Sequence, residues 1–383
     1  MFTFVISRDW RNIYINNLPS FKVKLERDGF DAARDRFFIV SANKRYLGYK
    51  RMDDRFAVFY LIFPQTLMLF FMLAASLIFF LRAIGKKPDI CYATTPFFVP
   101  AFWPCKYFLK IPVFCNLVSS VSDIIGQKGG LKRKIAAKLA WCGEFLGAKT
   151  ADILMPNSQW LEQKLLGWKI PPNKIVFRPV RPPLIEIDAA RAEELGRAHG
   201  LSGKRIVFTA ARLEKEKNLE IVLRALADIG GNDIVWMIAG AGSQETILKN
   251  MAESLGLSGR VIFLGYVDRP DIWHYYYLCS VFLLPSLSEG MPTVILEAML
   301  AGRAVLASDI AGNRQLVKNK ESGILFNPLR SDDLADKMIS LLDDAFLRER
   351  LAEHGEKVAL SYIEQYKSID QVYEIFKART TAK

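Results

Sequence analysis

Histidine is scarce in this chain: there are three in 383 residues, His199, His274 and His354. The five cysteines, at 91, 105, 115, 142 and 279, are odd in number and show no metal-ligand spacing, so a reducing, cytosolic compartment is expected. No zinc-finger spacing, helix-turn-helix signal or aromatic RNA-binding motif is present, and no internal repeat or low-complexity tract. These absences argue against nucleic acid as the partner of a chain whose formal net charge is +12. What is abundant is apolar: 51% hydrophobic residues beside 24% charged ones. Apolar and basic features together point to an anionic membrane surface. The length suits two domains of ordinary size, each able to bury its own core.

The second half carries the clearest pattern. Between Val281 and Asn327 the chain reads VFLLPSLSEGMPTVILEAMLAGRAVLASDIAGNRQLVKNKESGILFN, an alternation of buried strands, polar loops and helices. Val281 to Pro285 fits a buried parallel strand, Ser286 to Gly290 a loop at its carboxyl end, and Pro292 the first turn of a helix that Gly302 stops. Ligands of open α/β sheets sit outside the carboxyl ends of the strands. Glu289 in the loop and Glu297 about one turn into the helix are therefore both able to face one ligand. A second strand, Arg205 to Ala211, is followed by Arg212 and a charged loop to Lys217, with Asn218 expected to open a helix as its N-cap. Arg212 and Lys217 flank a strand end beside a helix start, where cations and backbone N–H groups can hold a diphosphate together. For either residue alone, a surface ion pair with Glu214 or Glu216 is the competing reading. Gly240 and Gly242 follow a third apolar strand and let backbone approach a nucleotide, or simply make a tight turn.

The stretch EGMPTVILE resembles the signature of family-4 retaining glycosyltransferases, and the resemblance covers Gly203 to about Leu342. It implies that Glu297 accepts from the ribose hydroxyls of a nucleotide sugar, with Gly240, Gly242, Gly290, Met291, Pro292 and Thr293 also binding the donor. It implies that Glu289 lies by the donated sugar, where it either binds it or stabilises positive charge at the reacting carbon, and that Arg212 and Lys217 clamp the diphosphate. There are departures: Ala211 stands where glycine is frequent, and Ala311 and Gln315 alter the diglycine turn. The family's histidine and its glycine-rich first loop are missing from the first half, where Ser119 and Ser120 occupy the histidine's area. Asp123 is the nearby carboxylate that could act on the acceptor side, a loop or capping role being the alternative.

Phe56 to Leu81 holds no charged residue and is bracketed by Arg55 and Arg82. It starts too late for a signal peptide and is long enough to span a bilayer. A spanning helix would separate the candidate strands Thr3 to Ile6 and Phe37 to Val40 from Asp89 to Ala93. The favoured reading is a monotopic helix, or a Pro64-kinked pair, lying partly in the near leaflet, with spanning and fully buried helices as the alternatives. Phe70, Phe71, Phe79 and Phe80 would then meet lipid. Arg82, Lys86 and Lys87, with Arg45, Lys50, Arg51 and Arg55 on the other flank, would lie at headgroup level.

The expected fold is α/β of the GT-B type: two facing Rossmann-like domains with a central cleft and a C-terminal helix crossing back. The expected divisions are 1–180 for the acceptor and membrane domain, 181–200 for a linker, 201–360 for the donor domain and 361–383 for the terminal helices. The expected activity is retaining transfer of a sugar from a nucleoside diphosphate to a lipid-linked acceptor, in envelope polysaccharide or glycolipid assembly at the cytoplasmic face of a membrane. No metal and no cofactor beyond the donor itself are expected, since no Asp-x-Asp motif lies beside the clamp. The competing functions are a catalytically weak subunit of a glycosylation complex and a sugar-nucleotide epimerase of the same architecture. The oligomeric state is not legible.

Overall fold

The structure, a computed structural model, describes residues 1–7, 30–31, 35–43, 48–51, 56–62, 68–118, 120, 122, 131–179, 182 and 187–381; for 6–7, 41–71, 131–133, 269–270 and 379–381 the description is of the backbone. Asp123, and the side chains of Phe70, Phe71, Arg45, Lys50, Arg51 and Arg55, lie outside the described residues. The chain divides into two compact units, Met1–Val180 with Gln365–Lys383, and Arg181–Glu364.

The first unit is built on strands β1 (Phe2–Ser7), β2 (Arg36–Asn43), β3 (Gly48–Arg51), β4 (Phe56–Ile62), β5 (Ile90–Ala93), β6 (Val113–Leu117) and β7 (Ile153–Pro156), in the sheet order β3-β4-β2-β1-β5-β6-β7. All neighbours are parallel except β3, which pairs antiparallel with β4. Strands in such a sheet are covered on both faces and so read as unbroken apolar runs; β5, β6 and β7 are buried at every position. One face packs Phe4, Phe38, Cys91, Val113 and Leu154 against helices α1 (Met68–Gly85), α2 (Trp103–Leu109) and α3 (Leu131–Thr150). Helix α4 (Gln159–Gly167) follows β7, and its N-cap Ser158 accepts from the Leu161 N–H. The opposite face packs Val5, Phe37, Ile39, Phe114 and Met155 against Ile369 and Val372, which belong to the last helix of the chain. That helix, Ile369–Thr381, thus sits on the first sheet, with the Phe376 ring 5.6 Å from the Phe114 ring.

The long uncharged run corrects the sequence reading. Its first part, Phe56–Ile62, is strand β4, paired with β2 in the register Phe37↔Phe56, and only Met68–Gly85 is helix. A parallel strand covered on both faces is apolar at every position, as a buried helix is, so periodicity cannot separate them. The aromatic and β-branched residues of FAVFYLI favour the strand, and Pro64 falls between strand and helix. Phe79 is also corrected: it is fully buried, with its ring 5.3 Å from Phe4 and 4.6 Å from Phe102, and cannot meet lipid. Among the described residues, no helix is long and apolar enough to cross a membrane.

The second unit opens with α5 (Ala189–Ala198) and has a sheet of six parallel strands, β8 (Arg205–Ala210), β9 (Ile234–Ala239), β10 (Val261–Gly265), β11 (Val281–Leu284), β12 (Ala304–Ser308) and β13 (Ile324–Phe326). Their order is β10-β9-β8-β11-β12-β13. From β8 the chain winds one way through α6 (Glu220–Ile229), β9, α7 (Glu245–Ser254), β10 and α8 (Arg269–Leu278). It then returns to β11 and winds the other way through α9 (Thr293–Leu300), β12, α10 (Ala311–Arg314) and β13, ending with α11 (Ser331–Asp343) and α12 (Ala345–Glu364). The last helix of the chain is α13 (Ile369–Thr381). Because β8 and β11 are neighbours that depart in opposite directions, a crevice opens beyond their carboxyl ends. Below it the strands are pinned by a buried polar chain: Trp236 Nε1 donates to Thr209 Oγ1 (2.9 Å), which donates to the Leu283 carbonyl (2.8 Å).

Candidate active site

Two loops meet at this crevice, one after β8 and one after β11. The first turns through Lys215–Lys217 as a short 3-10 helix and ends at Asn218, whose φ of 54° is left-handed. Asn218 therefore does not cap α6, as its position in the sequence suggests; that helix begins at Glu220 behind Leu219. Its amide instead donates to the carbonyls of Pro285 (3.3 Å) and Pro328 (2.9 Å), and asparagine tolerates this conformation better than most residues. The Leu287 N–H donates to the Glu216 carbonyl at 2.8 Å, so the two loops are joined by backbone as well as side chain.

Lys217 Nζ lies 2.6 Å from Glu289 Oε1, and Ser286 Oγ donates to the same oxygen at 2.6 Å. The pair is 15% and 12% exposed. At that burial, neither charge can lose its partner without a cost of several kcal/mol, roughly 3–5 for a fully buried pair. Glu289 is held from behind as well: a Cβ on Gly312 would lie 2.3 Å from the Glu289 carbonyl oxygen, so only glycine fits at the second position of α10. Glu297, in α9, is 6% exposed and accepts from the Tyr276 hydroxyl at 3.0 Å. Gly290 is exposed, Met291 and Thr293 are half-buried and Pro292 is buried at the start of α9.

Gly240 and Gly242 line the neighbouring loop after β9, and their small size serves the protein's own backbone. A Cβ on Gly240 would fall 1.8 Å from the Ala211 oxygen, and one on Gly242 would fall 2.3 Å from that of Leu213. The φ of Gly240, 144°, is a second reason for glycine there.

Of the four charged groups singled out from the sequence, Lys217 and Glu289 are in direct contact and Glu297 is buried in the adjoining helix. Arg212 forms an ion pair with Glu216 at 2.9 Å and is 66% exposed. A pair that open contributes little to stability, about 0–1 kcal/mol, so the guanidinium exchanges partners at small cost. The sequence reading missed Ser286 and Tyr276. Ser286 stands three residues before Glu289 and could have been suspected; Tyr276 lies in the aromatic run Trp273 to Tyr277, where nothing marks which ring carries a polar task.

The first unit has a polar cluster of its own beyond the carboxyl end of β6. Glu144, 1% exposed, accepts from Ser122 Oγ (2.5 Å) and Ser120 Oγ (3.2 Å), and Lys164 Nζ donates to Ser120 Oγ at 2.8 Å. Lys164 also lies over the rings of Trp160 and Trp168.

Residues 192–358 match the family described as glycosyl transferases group 1. Over these residues the chain is similar to the glycosyl transferases of group 1. Alpha-D-kanosaminyltransferase from Streptomyces kanamyceticus is 32% identical over 190 residues, 49% of each chain. UDP-Gal:alpha-D-GlcNAc-diphosphoundecaprenol alpha-1,3-galactosyltransferase from Escherichia coli is 32% identical over 183 residues, 46% of each. The chain spans about half the length of these curated relatives. Among solved structures, sucrose-phosphate synthase from Thermosynechococcus elongatus superposes over 100% of both chains with a TM-score of 0.76 at 16% identity. HepE from Anabaena in complex with UDP does so with 0.76 at 17%. The fold is therefore GT-B, with two Rossmann-like domains of mainly parallel sheet, and the group 1 match covers the crevice with Lys217, Glu289 and Glu297.

Proposed function

We propose that the chain is a retaining glycosyltransferase that moves a sugar from a nucleoside diphosphate to a polyprenyl-diphosphate-linked acceptor. The setting is envelope polysaccharide or glycolipid assembly at the cytoplasmic face of an anionic membrane. The observation that carries the reading is the half-buried Lys217–Glu289 pair at the strand-order reversal, with Glu297 in the adjoining helix. Relatives of this chain act, by name, on sugars carried by diphospho-undecaprenol.

In this reading Glu297 binds the ribose and the cations of Lys217 and Arg212 face the diphosphate. Breaking the bond between the anomeric carbon and the diphosphate oxygen builds negative charge on the leaving group. Fixed cations lower that barrier, each such electrostatic contact being worth on the order of 3 kcal/mol in the transition state. The acceptor hydroxyl attacks the same face of the sugar, and its proton passes to the departing diphosphate. Glu289, fixed by Lys217 and Ser286, stabilises the positive charge at the anomeric carbon or holds the sugar hydroxyls. The nucleotide sugar is a substrate, and the reading requires no cofactor.

The test uses the full chain in detergent with a panel of radiolabelled nucleoside diphosphate sugars, with and without sugar-diphosphate polyprenyl acceptors. Transfer of label to the lipid fraction from one member of the panel is expected. Nucleotide-sugar binding without transfer or hydrolysis by any member would favour a non-catalytic subunit and overturn the proposal.

A further inference from the structure

We propose that the outer surface of the helix layer in the first unit, centred on the ridge of Leu73, Leu77, Leu81 and Ile84, seats on a bilayer with anionic headgroups. This deepens the reading of a lipid-borne acceptor, since it names the face that meets the membrane. Helix α1 is apolar on both sides. Met72, Ala75, Phe79 and Ala83 are buried against the sheet, while the four ridge residues, spaced by four, four and three positions, are 59–64% exposed. A helix needs one apolar stripe to pack on a sheet, and the second has no use in water.

The ridge is part of a wider surface. Helix α2 adds Phe108, which is 75% exposed and in edge contact with the Phe80 ring at 5.9 Å. Helix α3 adds an exposed stripe of Ile135, Leu139 and Leu146 on the same face of the sheet. Of the 21 exposed large apolar side chains in the described residues, ten lie on these three helices. Apolar surface concentrated in this way marks an interaction site.

Charge chooses the occupant. Residues 55–143 carry eleven Lys or Arg and two acidic residues, Asp89 and Asp123. Arg82, Lys86, Lys87, Lys110, Lys134 and Lys138 are exposed around the apolar surface. The carboxylate that α3 carries, Glu144, is buried. A second copy placed on this face would bring like charges together, whereas apolar side chains ringed by cations match an acidic bilayer on both counts.

The test is co-sedimentation of the full chain with vesicles of phosphatidylcholine alone or mixed with phosphatidylglycerol. The wild type is expected to partition onto the mixed vesicles, and Leu73→Gln/Leu77→Gln/Leu81→Gln to partition at least about ten-fold less. Lys86→Glu/Lys87→Glu should weaken partition severalfold on mixed vesicles only. Leu81→Gln alone serves if the triple variant does not match the wild-type circular dichroism spectrum. Partition of the ridge variants equal to wild type, no partition of the wild type, or break-up of a homo-oligomer in the ridge variant by light scattering would overturn the proposal. Wild-type transfer to a water-soluble short-chain acceptor is measured in parallel. Vesicle binding without that transfer sinks the proposed reaction and leaves the membrane face standing.

Discussion

Gly312 should be among the least replaceable residues of the second unit, because its α-carbon lies against the Glu289 backbone. An alanine there places its Cβ 2.3 Å from the Glu289 carbonyl oxygen, 2.8 Å from the carbonyl carbon and 2.9 Å from the Glu289 Cβ. Carbon contacts settle at roughly 3.5 Å, so the two backbones must part by about 1 Å. Overpacking of this kind costs about 1–3 kcal/mol, which for a unit of this size lowers the melting temperature by roughly 3–10 °C. The larger effect is on chemistry. The moved segment carries Glu289, and misplacing a reacting group by about 1 Å costs on the order of 100-fold in rate. Gly290→Ala is the control for stability: a Cβ there has nothing within 4 Å, so its melting curve should match the wild type. Differential scanning fluorimetry and steady-state transfer with the best donor read both effects. A Gly312→Ala protein that melts and turns over like the wild type would refute the claim that α10 sets the position of Glu289.

Tyr276→Phe removes the hydroxyl that donates to Glu297 Oε2 in a buried setting, a loss of about 1–2 kcal/mol. The donor KM should rise roughly ten-fold with kcat little changed, and an unchanged KM would refute the positioning role. Burial pushes the Cys279 thiol up to about 12 and those of Cys91 and Cys115 well above the usual range, so at pH 8 these three are protonated thiols shut off from solvent. Iodoacetamide followed by peptide mass spectrometry should modify exposed Cys142 first and reach the three only after denaturation. Native labelling of Cys279 at the rate of Cys142 would contradict the described core.

The second unit was legible because its strands are short apolar runs closed by polar residues, proline or glycine, and several of its helices are one-sided, the patterns a parallel sheet imposes. Lys217 and Glu289 could be assigned to one ligand site because strand ends in such sheets gather ligand groups. Their direct contact could not be read, since it depends on Asn218 taking a left-handed turn that its N-cap chemistry conceals. Arg212 shows the opposite case: the surface pair with Glu216 is present, and its exposure leaves the cation available to a ligand. In the first unit the sequence gives too little contrast. Phe56–Ile62 and Met68–Gly85 are both apolar runs, yet the first is a strand paired along both edges and the second a helix covered on one face and exposed on its leucine ridge. Phe79 and Leu81 differ only in which side of that helix they fall, which the sheet decides.

The most direct test is calorimetric titration of the best nucleoside diphosphate sugar into the wild type, Lys217→Ala, Glu297→Ala and, as a surface control, Lys249→Ala. Binding at least about ten-fold weaker in the first two variants, a loss of about 1.4 kcal/mol or more, with the control unchanged, is the expected result. Wild-type affinity in both Lys217→Ala and Glu297→Ala would contradict the assignment of the crevice beyond β8 and β11 as the donor site.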